Sequence, residues 1–295
     1  MMTKPWPWNK LGPPAIGGNQ LTVCISAICE SENAVILASD SMISMGGYMK
    51  GDALARKLDP FFYHWFSQFA AEDISAITPI YERVEKNINR KASEITLEDV
   101  SKMARDSYKG QRQTQIEDDI LSSYGTNWEE FKINGRNLFN DRDYELITEK
   151  IRSYDLNVEM LIAGFDGKNN PHIFTVGNPG KASYYDKLGF WSIGSGQHQA
   201  LASLFGCCYR RYASLETCIS QVLCAKFAAE SAEGVGESTW LLVYTGEDQS
   251  LYLDAEIMQE IKKEWKLLPR IPASSLPIIK KWINTEKKTC ESSTT

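Results

Sequence analysis

The chain has 295 residues, 43% hydrophobic and 24% charged, enough for one large buried core or two ordinary ones. Its net charge of −6 argues against a generic nucleic-acid or anionic-membrane surface, and no apolar run approaches a membrane span. The first 20 residues lack the apolar core of a signal peptide. The seven cysteines, Cys24, Cys29, Cys207, Cys208, Cys218, Cys224 and Cys290, are odd in number, show no zinc spacing and mostly lie in apolar segments. That usage reads as a reduced, cytoplasmic protein without metal or cofactor.

Residues 1–20, rich in Pro, Gly and Trp, read as an extended N-terminal arm or a removable leader. Thr22–Cys29 and Ala34–Ser39 follow, two apolar strands around the polar corner Glu30-Ser31-Glu32-Asn33, a hairpin pattern. Both runs are apolar on both faces, which places the hairpin between layers. Ser41–Asp52 is a polar loop containing Gly46-Gly47. Phe61–Ala71 reads as a strand pair or as one buried, bent strand. Glu72–Arg90 has helical spacing, with Pro79 acceptable only in the first turns. Thr96, with Asp99 three residues on, caps a second helix. From Tyr108 to Arg152 the chain becomes polar with sparse apolar positions, a helical insertion at about 108–152 packed on the main body or on a neighbour.

Strands return at Asn157–Phe165, His172–Val176, Lys181–Asp186 and Phe190–Ile193, separated by turn residues. The last of these runs into Gly194-Ser195-Gly196. Helices are expected over Gln197–Arg211 and Leu215–Ser231, with Tyr209-Arg210-Arg211 on a solvated helix face. A final strong strand covers Thr239–Thr245. Residues 251–295 form a C-terminal extension with a short helix (Ala255–Trp265) and a disordered tail. His64, His172 and His198 are scattered without metal spacing. Runs of strands alternating with pairs of helices argue for α+β, with antiparallel sheets in a layered sandwich.

The blocks AVILASDS, ARKLDPFF, VEMLIAGFDG, FWSIGSGQ and STWLLVYT, in this order and with helices between them, resemble the proteasome subunit family. The resemblance spans about residues 21–250 apart from the insertion. It implies a four-layer αββα sandwich of two antiparallel sheets flanked by helices, of the N-terminal-nucleophile hydrolase class. It also implies a nucleophilic threonine at the start of the first strand, freed by cleavage of the preceding peptide bond. The corner centres between Ser31 and Glu32, so facing positions sum to about 63 and Asp40 faces residue 23. This puts the family's threonine at Thr22. Lys57 matches the family's lysine, with Arg56 as the neighbouring alternative. Ser195 matches the serine that supports the amine. Its acidic companion is best matched by Glu233, with Glu230 and Glu237 nearby.

These residue types suit one another chemically. A threonine hydroxyl is a poor nucleophile until a base takes its proton, and a free α-amine, pKa about 7.7–8, can do so near neutral pH. Lys57 would stabilise the alkoxide, Asp40 would hold Lys57 charged and oriented, and Ser195 with the acid would bind the amine. The oxyanion needs backbone N–H donors. The family places these at a Gly-rich turn, which here reads Phe69-Ala70-Ala71-Glu72. Leu21, not glycine, precedes Thr22. Cys24 is an alternative nucleophile on the same strand. The expected activity is a threonine-type peptidase or amidase acting on a peptide or amide substrate. The alternative is an inactive subunit serving assembly or partner binding, or a small-molecule binder. Self-association follows from the resemblance; nucleic-acid and membrane partners do not.

Overall fold

The computed structural model describes residues 22–45, 49–51, 57–72, 74–86, 94–247, 249–253 and 255–267. The expectations for the N-terminal arm, Leu21, Gly46-Gly47, Arg56, Cys290 and the C-terminal tail lie outside them. The hairpin forms as β1 (Cys24–Cys29) and β2 (Ala34–Asp40), every residue of which is buried. Cys24 faces Ser39 and Cys29 faces Ala34, so facing residues sum to 63, as the corner requires.

Within the expected polar loop, β3 (Ile43–Met45) and β4 (Met49–Gly51) pair as a small separate ribbon. The Phe61–Ala71 stretch resolves as two antiparallel strands, β5 (Leu58–Phe62) and β6 (Trp65–Ala71), turning at Tyr63, which adopts a positive φ of 43°. A 3-10 turn at Ile74–Ala76 leads into α1 (Ile77–Lys86). Pro79 falls in the first turn of α1, where its missing N–H costs nothing.

Thr96 caps α2 (Leu97–Asp119) in a capping box: its hydroxyl accepts from Asp99 N at 3.2 Å, and the Asp99 carboxylate accepts from Thr96 N at 3.2 Å. The helix and the start of the expected insertion are one continuous 23-residue element. The remainder of the insertion is α3 (Trp128–Leu138) and α4 (Asp141–Ser153). It has its own small core of Ile116, Ile120, Leu121, Phe131 and Ile147, which is why so few apolar positions suffice there.

The second half supplies β7 (Val158–Phe165), β8 (Pro171–Gly177), β9 (Lys181–Tyr184), β10 (Phe190–Ile193), α5 (Gln197–Gly206), α6 (Leu215–Ala229), β11 (Thr239–Thr245), β12 (Ser250–Tyr252) and α7 (Ala255–Leu267). α5 stops five residues short of expectation. Cys208 takes a positive φ of 51°, and Tyr209 donates its hydroxyl to the Ile28 carbonyl at 3.0 Å. Arg211 pairs with Glu30. The basic group is therefore a staple onto the β1–β2 corner, not a solvated helix face. β12 is an exposed edge strand with no burial to write an apolar pattern into it.

Two antiparallel sheets result, in the orders β10-β1-β2-β11-β12 and β5-β6-β7-β8-β9. Their inner faces meet through Cys24, Ile28, Val35, Leu37 and Leu242 on one side and Leu58, Phe66, Ala70, Leu161 and Ala163 on the other. The outer face of the second sheet packs Trp65, Phe69, Met160, Ile162 and Phe174 against Ile77, Ile80, Val84, Val100, Ala104 and Tyr108 of α1 and α2. α5 and α6 cover the first sheet. The architecture is an α+β, four-layer sandwich. The buried hairpin follows from this, because β1 and β2 have helices on one face and a sheet on the other. One polar bridge crosses the interior: Ser26 Oγ donates to Gln68 Oε1 at 2.9 Å, and Gln68 Nε2 donates to the Ala38 carbonyl at 2.8 Å. Each of these buried groups has a partner, so the bridge pins sheet against sheet with its desolvation cost offset by hydrogen bonds.

The described residues fall into two units divided after Leu253, with α7 in the second. No helix among the described residues is long and apolar enough to cross a membrane.

Candidate active site

Register brings the sequence-predicted residues to one rim. Cys24 faces Ile193 across β1–β10 and Asp40 faces Thr239 across β2–β11. The start of β1, the end of β2, the end of β10 and the approach to β11 therefore converge. Lys57 immediately precedes β5 of the facing sheet.

Thr22, Asp40 and Lys57 are 2%, 0% and 5% exposed. Lys57 Nζ donates to Thr22 Oγ1 at 2.6 Å and to Asp40 Oδ1 at 3.0 Å. Thr22 Oγ1 also donates to Asp40 Oδ1. Asp40 accepts three backbone amides besides: Val23 N at 3.1 Å, Met42 N at 3.2 Å and Gly236 N at 3.0 Å. A buried ion pair is tolerable only when its remaining hydrogen-bonding capacity is met, and here Asp40 meets it chiefly with backbone.

Ser195 lies on the other side of Thr22. Thr22 N donates to Ser195 Oγ at 3.3 Å, and the single Ser195 proton is shared between the Thr22 carbonyl at 3.3 Å and the Glu233 carbonyl at 3.0 Å. Gly196 N also donates to the Thr22 carbonyl, at 3.1 Å. Gly194 has φ +91°, and a Cβ there would lie 2.4 Å from the Thr22 carbonyl oxygen, so only glycine permits this approach.

The three acidic candidates separate. Glu233 meets Ser195 through its main-chain carbonyl. The Glu230 carboxylate accepts from Lys226 Nζ at 2.6 Å, and Glu237 receives Lys226 through its carbonyl at 3.1 Å. Lys226 is a residue that sequence reasoning missed. It is fully buried and also donates to the Gly236 carbonyl at 2.8 Å, so it clamps the loop from which Gly236 reaches Asp40 and Glu233 reaches Ser195. The available signal was a lysine inside the apolar run LETCISQVLCAKFAA.

Cys24 is fully buried and donates its thiol to the Phe69 carbonyl at 3.4 Å. Burial pushes the thiol up to about 12, with Lys57 acting in the opposite sense. A thiol so rarely ionised is a packing residue, not a nucleophile. The expected oxyanion turn remains on strand through Ala71, and Glu72 N is taken by the Asn157 carbonyl at 3.1 Å. His64 bonds the Tyr244 hydroxyl at 2.6 Å, His172 sits between Asp166 and Asp186, and His198 is exposed. Among the described residues no group of three or more His, Cys, Asp or Glu is placed to hold a metal ion.

An α+β sandwich with a hydroxyl, an ammonium and a carboxylate gathered at its rim is thus the class of protein that fold and site define. No family model and no curated protein matches the sequence. Among solved structures the chain is similar to Anbu, described as an ancestral beta-subunit, from Yersinia bercovieri: 14% identity, TM-score 0.57, covering 85% of this chain and 100% of that one. It is also similar to an Anbu mutant from Hyphomicrobium sp. strain MC1: 13% identity, TM-score 0.55, covering 83% of this chain and 93% of that one. The likeness is one of fold, and the fold is proteasome-like.

Proposed function

We propose that the chain is an N-terminal-nucleophile hydrolase, a threonine-type peptidase or amidase that acts through Thr22 once the residues before it are removed. The observation that carries this reading is the buried Lys57 Nζ, 2.6 Å from Thr22 Oγ1 and 3.0 Å from Asp40 Oδ1. An ammonium so placed favours the alkoxide over the hydroxyl. In the proposed cycle the freed Thr22 amine takes the Oγ1 proton as Oγ1 bonds to the substrate carbonyl carbon. The tetrahedral intermediate then expels the amine of the scissile bond, which takes that proton. Water next attacks the acyl ester, giving up a proton to Thr22 Oγ1 through the same amine. Asp40 orients Lys57, while Ser195 and the Glu233 carbonyl hold the α-amine in place.

The domain that does this runs over about residues 21–250, preceded by the arm or leader at 1–20 and followed by the extension at 251–295. Self-association of the sandwich and a cytoplasmic location belong to the same reading. Purified protein should show, by intact mass and N-terminal sequencing, a mature chain that begins at Thr22. A threonine-directed electrophile such as an epoxyketone should add to that residue. A chain that retains Leu21 and ignores the electrophile would overturn the proposal. It would favour the second reading, an inactive proteasome-fold subunit for assembly or partner binding. Leu21 before Thr22 and Ala71 at the expected oxyanion turn are the features on that side.

A further inference from the structure

The inner face of β7–β9 opens into a cleft of about 370 Å³ bordered by Asp155, Glu159, Thr175, Lys181, Ser183 and Tyr185. The row nearest the rim is Glu159, Gly177 and Lys181. Gly177 faces Lys181 in register, and a Cβ on Gly177 would touch the Glu159 stem at 3.7 Å. The absent side chain therefore leaves a gap between an acid and a base. Thr175 and Ser183 face each other in the next row. Tyr185, stacked on Trp191 of β10 with ring centroids 3.9 Å apart, closes one side.

Three observations place this cleft on the rim that carries Thr22. Glu159 is the register partner of Ala70. The neighbouring Phe69 carbonyl accepts the thiol of Cys24, two residues along from Thr22. The charges of Lys57, Asp40 and Glu159 all act on that thiol.

Among the described residues Glu159 has no hydrogen bond or ion pair, although it is half-buried. Burial alone pushes its carboxyl up to about 7. Asp155 adds a second carboxylate, and the exposed Lys181 stands at the far border without pairing with Glu159. A half-buried carboxylate lacking a partner gains most from a ligand that brings a cation to it.

We propose that this cleft is a substrate subsite that takes a side chain ending in a guanidinium or ammonium, with the cation against Glu159. The proposal rests on the hydrolase reading of Thr22. The Thr175 and Ser183 hydroxyls can accept the remaining N–H groups, and Tyr185 offers an apolar wall to the aliphatic stem. Lys181 repels a cation entering from the opposite border and so sets the ligand's direction.

The test uses the purified full chain and labelled hexapeptides that carry a single arginine, or its neutral isostere citrulline, scanned through each position. Binding is read by fluorescence anisotropy, and the same samples are read for cleavage by mass spectrometry. At one position the arginine peptide should bind about tenfold or more tightly than its citrulline twin. Glu159→Gln should bring that ratio to within about twofold. Gly177→Val, which fills the gap and leaves the charge, should do the same, and it serves if Glu159→Gln fails to fold. An equal affinity for arginine and citrulline at every position overturns the subsite, as does a preference that survives both variants. Selective binding without cleavage or leader removal overturns the hydrolase reading and leaves the subsite standing. Cleavage without selectivity does the reverse.

Discussion

The amide of Gly236 donates to Asp40 Oδ2 at 3.0 Å across 196 positions of sequence, and Lys226 holds it there through the Gly236 carbonyl at 2.8 Å. The fully buried Lys226 thereby acts on the rim without touching Thr22. Lys226→Met would leave the Glu230 carboxylate and two carbonyls short of a donor. We expect a loss of about 3–5 kcal/mol in urea denaturation, partly recovered in the Lys226→Met/Glu230→Met double variant. Turnover of a peptide substrate should fall more than tenfold, roughly, through mispositioning of Asp40 and Ser195. A variant with unchanged stability would show that the clamp contributes nothing.

Asp40 and Lys57 form a pair whose two halves are unequally supported. Without Lys57, Asp40 retains three backbone amides and the Thr22 hydroxyl. With Asp40 made Asn, the buried Lys57 ammonium loses its counter-charge and keeps, among the described residues, only neutral acceptors, the Thr22 hydroxyl and the amide oxygen at position 40. Asp40→Asn should therefore destabilise more than Lys57→Met, by at least about 1 kcal/mol in matched denaturation curves. Both should abolish addition of the electrophile to Thr22. Equal costs would mean that the backbone amides around Asp40 carry no weight.

Gly194→Ala tests the approach of the Gly194-Ser195-Gly196 turn to Thr22. A Cβ would meet the Thr22 carbonyl oxygen at 2.4 Å from a residue held at φ +91°. Backbone is in the way on both counts, so the turn must move. Thermal unfolding should shift down by the equivalent of roughly 2 kcal/mol or more. Gly206→Ala, where a Cβ meets nothing within 4 Å, is the control and should be neutral or mildly stabilising.

His172 places Nδ1 2.7 Å from Asp186 and Nε2 3.4 Å from Asp166. Burial alone would lower its pKa, but the paired carboxylates outweigh burial and raise it above the ordinary histidine value. A raised folded-state value means that the native protein binds the proton more tightly than the unfolded chain. The stabilisation is complete below the unfolded value of about 6.5 and disappears as pH rises through the folded value. The melting temperature should therefore decline over that window, and His172→Gln should flatten the decline. Parallel pH profiles for parent and variant would remove the pair from the account of stability.

Much of the architecture is legible in local pattern. Two unbroken apolar runs around a four-residue polar corner define the β1–β2 register, because a one-residue slip would turn every side chain over. That register places Thr22 beside Asp40. Thr96 and Asp99 announce α2 because a cap is satisfied within four residues. Less legible are the edge strand Ser250–Tyr252 and the stop of α5 at Gly206. The first is exposed, so no burial shapes its sequence. The second depends on Tyr209 reaching Ile28, 181 positions away.

By itself, then, the sequence determines the main strands and helices and sets Thr22 beside Asp40, since periodicity and hairpin symmetry are short-range properties, while Lys57 and Ser195 enter through the resemblance to the proteasome subunit family. Only the tertiary structure decided how those groups are held. The Glu233 carbonyl meets Ser195, Gly236 offers its amide to Asp40, Lys226 locks their loop, and Cys24 is sealed into the core. Main-chain donors and acceptors look the same at every residue type, so their partners emerge only when distant segments pack.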